Sequence, residues 1–171
     1  WLPATFTPHA HQSRAWQRLT GDDARSTLVA TGTGSGKTEC FLYPILDHCR
    51  AQAALGRRGV KAILLYPMNA LASDQARRIA KEILGRPELA GIRAGLYVGD
   101  AADEEADTVK QLADGSYSVI TQRAEIRKRP PDILLTNYKM LDFLLIRADD
   151  ARLWADNRPD TLRYLVVDEL H

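Results

Sequence analysis

The sequence has no apolar run approaching the roughly 20 residues that a bilayer-crossing helix needs, which excludes that class of membrane protein. Its first residues, Trp1-Leu2-Pro3, lack the basic stretch and apolar block of a secretory leader, so a cytoplasmic location is the default expectation. Cysteine is scarce: Cys40 and Cys49 are the only two, and their spacing fits no metal-ligand pattern. A helix through this region would place Cys49 on one apolar stripe with Phe41, Leu42, Ile45 and Leu46, which reads as core; Cys40 stays undecided. Charge of one sign is also missing. A net charge of +1 excludes a polycation that grips nucleic acid by bulk attraction, so any such contact must come from local groups. What remains is ordinary for one folded domain: 171 residues, 45% hydrophobic and 26% charged.

Apolar runs alternate with segments of helical period. Ser26 to Ala30 reads as a buried strand, followed by the glycine-rich stretch Gly32 to Gly36. A helix is expected from about Lys37 to Ala54, weakened or bent at Pro44 and ended by Gly56 and Gly59. Further strands are expected at Lys61 to Tyr66, Ile92 to Val98, Asp132 to Thr136 and Leu162 to Val167. Helical spacing recurs through Ala72, Ala76, Ile79, Ala80, Ile83 and Leu84, and again from Tyr138 to Ile146. This alternation implies an α/β fold, a mostly parallel sheet with helices on both faces. Such sheets bind ligands at the carboxyl ends of their strands. The segment from Asp100 to Pro131 fits least well, being acidic first and then basic, with a short strand possible at Tyr117 to Thr121.

Gly32-Thr33-Gly34-Ser35-Gly36-Lys37-Thr38 sits between an expected strand and an expected helix, the context of a phosphate-binding loop. Glycines let the backbone curl so that its N–H groups point at phosphate oxygens, and the helix start adds positive potential. Thr33, Gly34, Ser35 and Gly36 would form the cradle. Lys37 would reach the β- and γ-phosphates, and the Thr38 hydroxyl would hold Mg²⁺. The position where the common pattern opens with glycine is Thr31.

Leu165-Val166-Val167-Asp168-Glu169 is an apolar strand that delivers two acids at its end. Asp168 would hold the metal and Glu169 would take a proton from the attacking water. Two acids after apolar residues are weak evidence alone and strong evidence beside a phosphate loop on an earlier strand.

With these motifs in view, Asp168-Glu169-Leu170-His171 resembles the DExH box of superfamily 2 helicases, and Gly36-Lys37-Thr38 their first motif. The resemblance implies a RecA-like ATP-binding domain and ATP with Mg²⁺ as cofactors. It implies that Gln12 selects adenine, as an amide can donate to and accept from the ring edge. It implies that His171 relays between nucleotide and nucleic acid. Pro67, Asn69 and Ala70 resemble motif Ia, Gly99-Asp100 a glycine motif and Thr136-Asn137 motif Ib. In the family these line a nucleic-acid track, which suits hydroxyls, amides and helix-start N–H groups. Met68 and Asn69 depart from the commonest form of motif Ia. Within the superfamily the wording resembles bacterial YprA/MrfA-like helicases and large defence-associated DExH proteins. DNA as partner, with RNA open, rests on that branch likeness alone. The basic residues Arg123, Arg127, Lys128 and Arg129, and likewise Arg77, Arg78 and Lys81, read as solvated helix faces before they read as steering groups.

The sequence ends on His171, directly after the DExH-like residues. The family's third motif and second RecA-like domain would follow, and that domain would supply arginines worth about 10³ to 10⁵ in rate for analogous NTPases. The expectation is that these 171 residues bind ATP weakly, turn it over negligibly and leave an apolar sheet edge exposed. Two other classes stay open: a small-molecule kinase on a phosphate loop, and a nucleic-acid clamp that no longer uses ATP.

Overall fold

The computed structural model describes residues 1–2, 5–32, 34–99 and 107–169. Its centre is a four-stranded parallel sheet built from β1 (Ala62–Tyr66), β2 (Ala94–Tyr97), β5 (Ile133–Asn137) and β6 (Tyr164–Val167), in the order β2-β5-β1-β6. The helices are α1 (Ala10–Leu19), α2 (Lys37–Ala54), α3 (Asn69–Leu84), α4 (Arg123–Lys128) and α5 (Tyr138–Ile146). Short 3-10 helices cover Pro87–Leu89 and Ala148–Trp154. A separate antiparallel hairpin joins β3 (Lys110–Gln111) to β4 (Tyr117–Ser118).

Side-chain alternation along each strand explains why helices lie on both faces. Ala62, Leu64 and Tyr66 of β1, Leu96 of β2 and Leu135 of β5 share one core with Leu42, Ile45 and Leu46 of α2 and Ile79 of α3. The alternate residues Ile63, Tyr97 and Leu134 share the other with Ile126 of α4, Met140 and Leu144 of α5 and Leu153. At the amino edge one carboxylate ties three strand entries. Asp132 accepts from buried Lys61 Nζ at 2.7 Å and from the Arg93 backbone N–H at 2.8 Å.

Helix α2 spans the expected range and continues through buried Pro44, which removes one backbone donor without ending the helix. Gly56 adopts φ 67°. Its N–H donates to Ala53 O and the Arg57 N–H to Gln52 O, a left-handed cap that closes the helix and turns the chain toward β1. Both cysteines are fully buried and free.

Three expectations are corrected. Ser26–Ala30 has no regular secondary structure and joins no ladder, and Leu28 is 79% exposed. Strand propensity describes fit to a partner surface, and this segment makes no ladder with any described strand. Tyr117–Thr121 is split: Tyr117–Ser118 belongs to the hairpin, and Ile120 bridges to Gly95 beside the sheet. The basic residues of α4 are not simply a solvated face. Arg127 Nε donates to fully buried Asp150 at 2.6 Å, and Arg123 donates to the carbonyls of Val98 and Gly99.

Candidate functional site at the carboxyl edge of the sheet

All four strands run the same way, so Tyr66, Tyr97, Asn137 and Val167 end on one edge. Arg78 acts on Tyr66 at the end of β1 and pairs with Glu39 of α2, so the first turn of α2 lies toward that same edge.

The loop before α2 is held in a curled form. Gly34 and Gly36 have φ of 74° and 78°, conformations that L side chains rarely adopt. The hydroxyls of Thr31 and Ser35 meet at 2.7 Å across the loop, and Lys37 Nζ donates to Thr31 O at 3.2 Å. Thr31, at the position where the common pattern has glycine, therefore ties the loop with both its hydroxyl and its carbonyl. Gly36 caps α2 without a side-chain acceptor, which leaves the first-turn N–H groups to an anion. These features fit the triphosphate that the motif implies.

Asp168 continues the β6 ladder, its N–H donating to Leu65 O at 3.0 Å. Glu169 follows with φ 54°, a strained backbone for a residue with a side chain, and is exposed. Tyr66, at the end of β1, is 2% exposed, with a hydroxyl that meets no hydrogen-bond partner. Burial raises its pKa first, and the charge of Asp168 raises it further while Arg78 opposes. Arg78 pairs with Glu39, in the first turn of α2. Asp168 and the start of α2 thus both lie around the end of β1.

Gln12 lies in α1 and is 4% exposed. Its Oε1 accepts from the His9 N–H at 2.9 Å and its Nε2 donates to Gly36 O at 3.1 Å. Two neighbours on α1 also grip the loop and helix: His11 Nε2 lies 2.9 Å from Ser35 O, and Trp16 Nε1 donates to Glu39 O at 2.9 Å.

Along the same edge, Pro67, Ala70 and Gly99 are exposed and Asn69 is half-buried at the start of α3. Asn137 Nδ2 donates to Asn69 Oδ1 at 2.7 Å, while Asn137 Oδ1 caps α5 through the Met140 N–H. Thr136 is fully buried and its hydroxyl donates to Tyr97 O at 2.6 Å, so it serves the sheet and offers no surface group. A cleft of about 490 Å³ opens between α3 and the hairpin, lined by Asn69, Ala70, Ser73, Tyr117, Ser118 and Thr121. Thr33, Asp100 and His171 lie outside the described residues.

The family model for DEAD/DEAH box helicases matches residues 9–171. The chain belongs to this family. It is 36% identical over 140 residues to Druantia protein DruE of Escherichia coli (strain UMEA 4076-1), an alignment covering 70% of this chain and 8% of DruE. It is 28% identical over 163 residues to the uncharacterized ATP-dependent helicase YprA of Bacillus subtilis (strain 168), covering 95% of this chain and 18% of YprA. The solved DUF1998 helicase MrfA bound to DNA and AMPPNP superposes with a TM-score of 0.63 at 26% identity, covering 93% of this chain and 18% of that one. The chain therefore spans a small part of the relatives it matches, and in MrfA the matching part has the RecA-like helicase architecture found here.

Among the described residues, Asp168 and the first turn of α2 both lie toward the end of β1. The sequence gives no sign of the roles of Glu39 and His11, and Arg78, expected on a solvated helix face, is instead paired with Glu39. The tying role of Thr31 carried one signal, the departure from glycine in the loop pattern. Glu39 and Arg78 are 39 residues apart and nothing in the sequence pairs them. Among the described residues no helix is long and apolar enough to cross a membrane, and no cluster of His, Cys, Asp and Glu forms a separate metal centre.

Proposed function

We propose that this domain is the ATP-binding half of a nucleic-acid-dependent motor that couples hydrolysis to movement on, or unwinding of, DNA. The observation that supports it best is that two chain-distant features lie toward the end of β1: Asp168, which follows β6 in register beside Leu65, and the first turn of α2, whose Glu39 pairs with Arg78. In this reading Thr33, Gly34, Ser35, Gly36 and Lys37 hold the triphosphate, and Thr38 and Asp168 hold Mg²⁺. When bound, the ion neutralises phosphate charge and polarises the bond that breaks. Glu169 accepts the proton of the attacking water. Gln12 faces adenine, His171 relays between the two ligands, and a second RecA-like domain elsewhere in the parent closes over the nucleotide.

Pro67, Asn69, Ala70, Gly99, Asp100 and Asn137 form the strand track, with Thr136 supporting it from within the sheet. The Asn69–Asn137 bond fixes the starts of α3 and α5 to each other, giving two sets of helix-start N–H groups for phosphates. DNA is favoured over RNA because MrfA is solved on DNA. Other relatives, such as the putative DEAD-box ATP-dependent RNA helicase 29 of Arabidopsis thaliana, carry RNA in their names. The test is hydrolysis by the full-length protein with DNA, RNA or neither, for wild type and Lys37→Ala. DNA-stimulated turnover that Lys37→Ala abolishes supports the motor. Turnover indifferent to nucleic acid, or biological activity that survives Lys37→Ala, replaces it with a kinase-like or clamp-like role.

A further inference from the structure

Helix α3 starts at the proposed strand track and passes the first turn of α2 on its way out. Asn69, its first residue, is bonded to Asn137. Arg78 lies nine residues on, about 14 Å along the axis, and its guanidinium pairs with Glu39 Oε1. The spacing of Leu71, Gln75, Arg78 and Glu82 puts them on one stripe of α3, and Arg78 and Glu82 of that stripe act electrostatically on Tyr43 of α2.

Glu39 stands against the phosphate loop. A Cβ placed on Gly36 would lie 3.1 Å from Glu39 Oε2 and 2.6 Å from Gln12 Nε2, so carboxylate, amide and the last glycine are packed together. Glu39 Oε2 is buried with no hydrogen-bond partner, so Arg78 is the one cation recorded on this carboxylate among the described residues. The Glu39 carbonyl is held by Trp16 and the Gly36 carbonyl by Gln12. α1 therefore fixes the backbone of this turn, and α3 alone holds its charge.

We infer that the Arg78–Glu39 pair is the positioning link through which a strand bound at the start of α3 changes the set of the phosphate loop. The link is a charge on a charge, and α3 is a stiff rod between the two sites. A small rotation or slide of α3 when phosphates engage its first turn moves Arg78 relative to Glu39. Glu39 then shifts against Gly36, whose left-handed backbone transmits the change to Lys37 and Thr38. Neither Arg78 nor Glu39 is asked to touch nucleotide or strand. The inference rests on the motor reading above and names how its two sites communicate.

The experiment compares wild type, Arg78→Met and Arg78→Lys in the full-length protein, measuring hydrolysis against ATP concentration with and without single-stranded DNA. Arg78→Met keeps most of the stem and removes the charge, and Arg78 is 40% exposed, so the fold tolerates it. Expected for Arg78→Met is basal turnover and ATP KM within about twofold of wild type and stimulation by DNA reduced about tenfold. Arg78→Lys should recover a large part of that stimulation. A charge exchange, Glu39→Arg with Arg78→Glu, should exceed either single exchange in stimulation. Full stimulation of Arg78→Met would overturn the link. Basal and stimulated rates falling together would also overturn it, reducing the pair to a structural contact. A wild-type protein indifferent to any nucleic acid would remove the motor reading itself, and the link with it.

Discussion

Gly36→Ala offers the sharpest test of how the phosphate loop is built. The residue sits at φ 78°, and an L side chain there costs about 1–2 kcal/mol. The added Cβ would also lie 2.6 Å from Gln12 Nε2, an amide only 4% exposed with little room to withdraw. Moving it breaks its bond to Gly36 O, a further loss of about 1 kcal/mol. The two costs together are about 2–3 kcal/mol, or roughly 30- to 150-fold in ATP affinity if the loop must hold this form to bind. They can be separated. In a Gln12→Ala background the clash with the amide disappears, while the backbone cost and the 3.1 Å approach to Glu39 Oε2 stay, so the double-mutant cycle should show coupling of about 1 kcal/mol. The assay is binding of a fluorescent ATP analogue to the four proteins, with thermal melts to confirm that each is folded. A folded Gly36→Ala protein of wild-type affinity would refute the strained-loop account. Equal cost in both backgrounds would refute the role given to Gln12.

Four further outcomes are expected. Asp150→Ala should cost about 2–3 kcal/mol, seen as a melting point lower by roughly 5–10 °C, because it strips a fully buried carboxylate from Arg127 and from the Tyr97 hydroxyl. Gln12→Ala should weaken ATP more than GTP if the amide reads adenine, whereas equal losses would confine it to holding Gly36. The His48 pKa is held below its ordinary value, by burial first and then by Arg163 and Lys61. The unfolded chain then takes up the proton first, so stability should fall as pH drops below about 6.5, and His48→Gln should flatten that slope in denaturant melts across pH 5–8. The 171-residue chain alone should bind ATP with Mg²⁺ and show negligible steady-state turnover, with or without DNA.

The ends of the strands were legible in the sequence because apolar blocks closed by polar motifs leave little choice of register or face. β1, β2 and β6 fall within the expected runs and begin one or two residues late, whereas β5 begins one residue late and continues one residue further, to Asn137. Helix α2 matched from Lys37 to Ala54, since its apolar stripe is flanked by a glycine loop and a glycine cap. The site was legible as a list of residues but not as a set of bonds. Nothing local says that Glu39 finds Arg78, that His11 meets Ser35, or that the Thr136 hydroxyl turns inward to Tyr97 O. Those partners are chosen by tertiary packing.

Ser26–Ala30 shows the other limit, and it bears on how the edge of the sheet behaves. The segment has strand composition, yet Leu28 is 79% exposed and no ladder forms. β6 pairs with β1 on one side only, and its Leu165 and Val167 are 59% and 49% exposed. A strand needs a neighbour to satisfy its backbone and cover its side chains, and apolar sequence supplies the appetite without the partner. The Gly21 carbonyl accepts from Arg163 and the Leu19 carbonyl from the Tyr164 hydroxyl, so the chain leading to Ser26 is already tethered at the entry of β6. The loop that holds Lys37 is therefore anchored from α1 and α3 and not from a strand behind it. That leaves α1 and α3 as the elements whose movements the phosphate loop must follow.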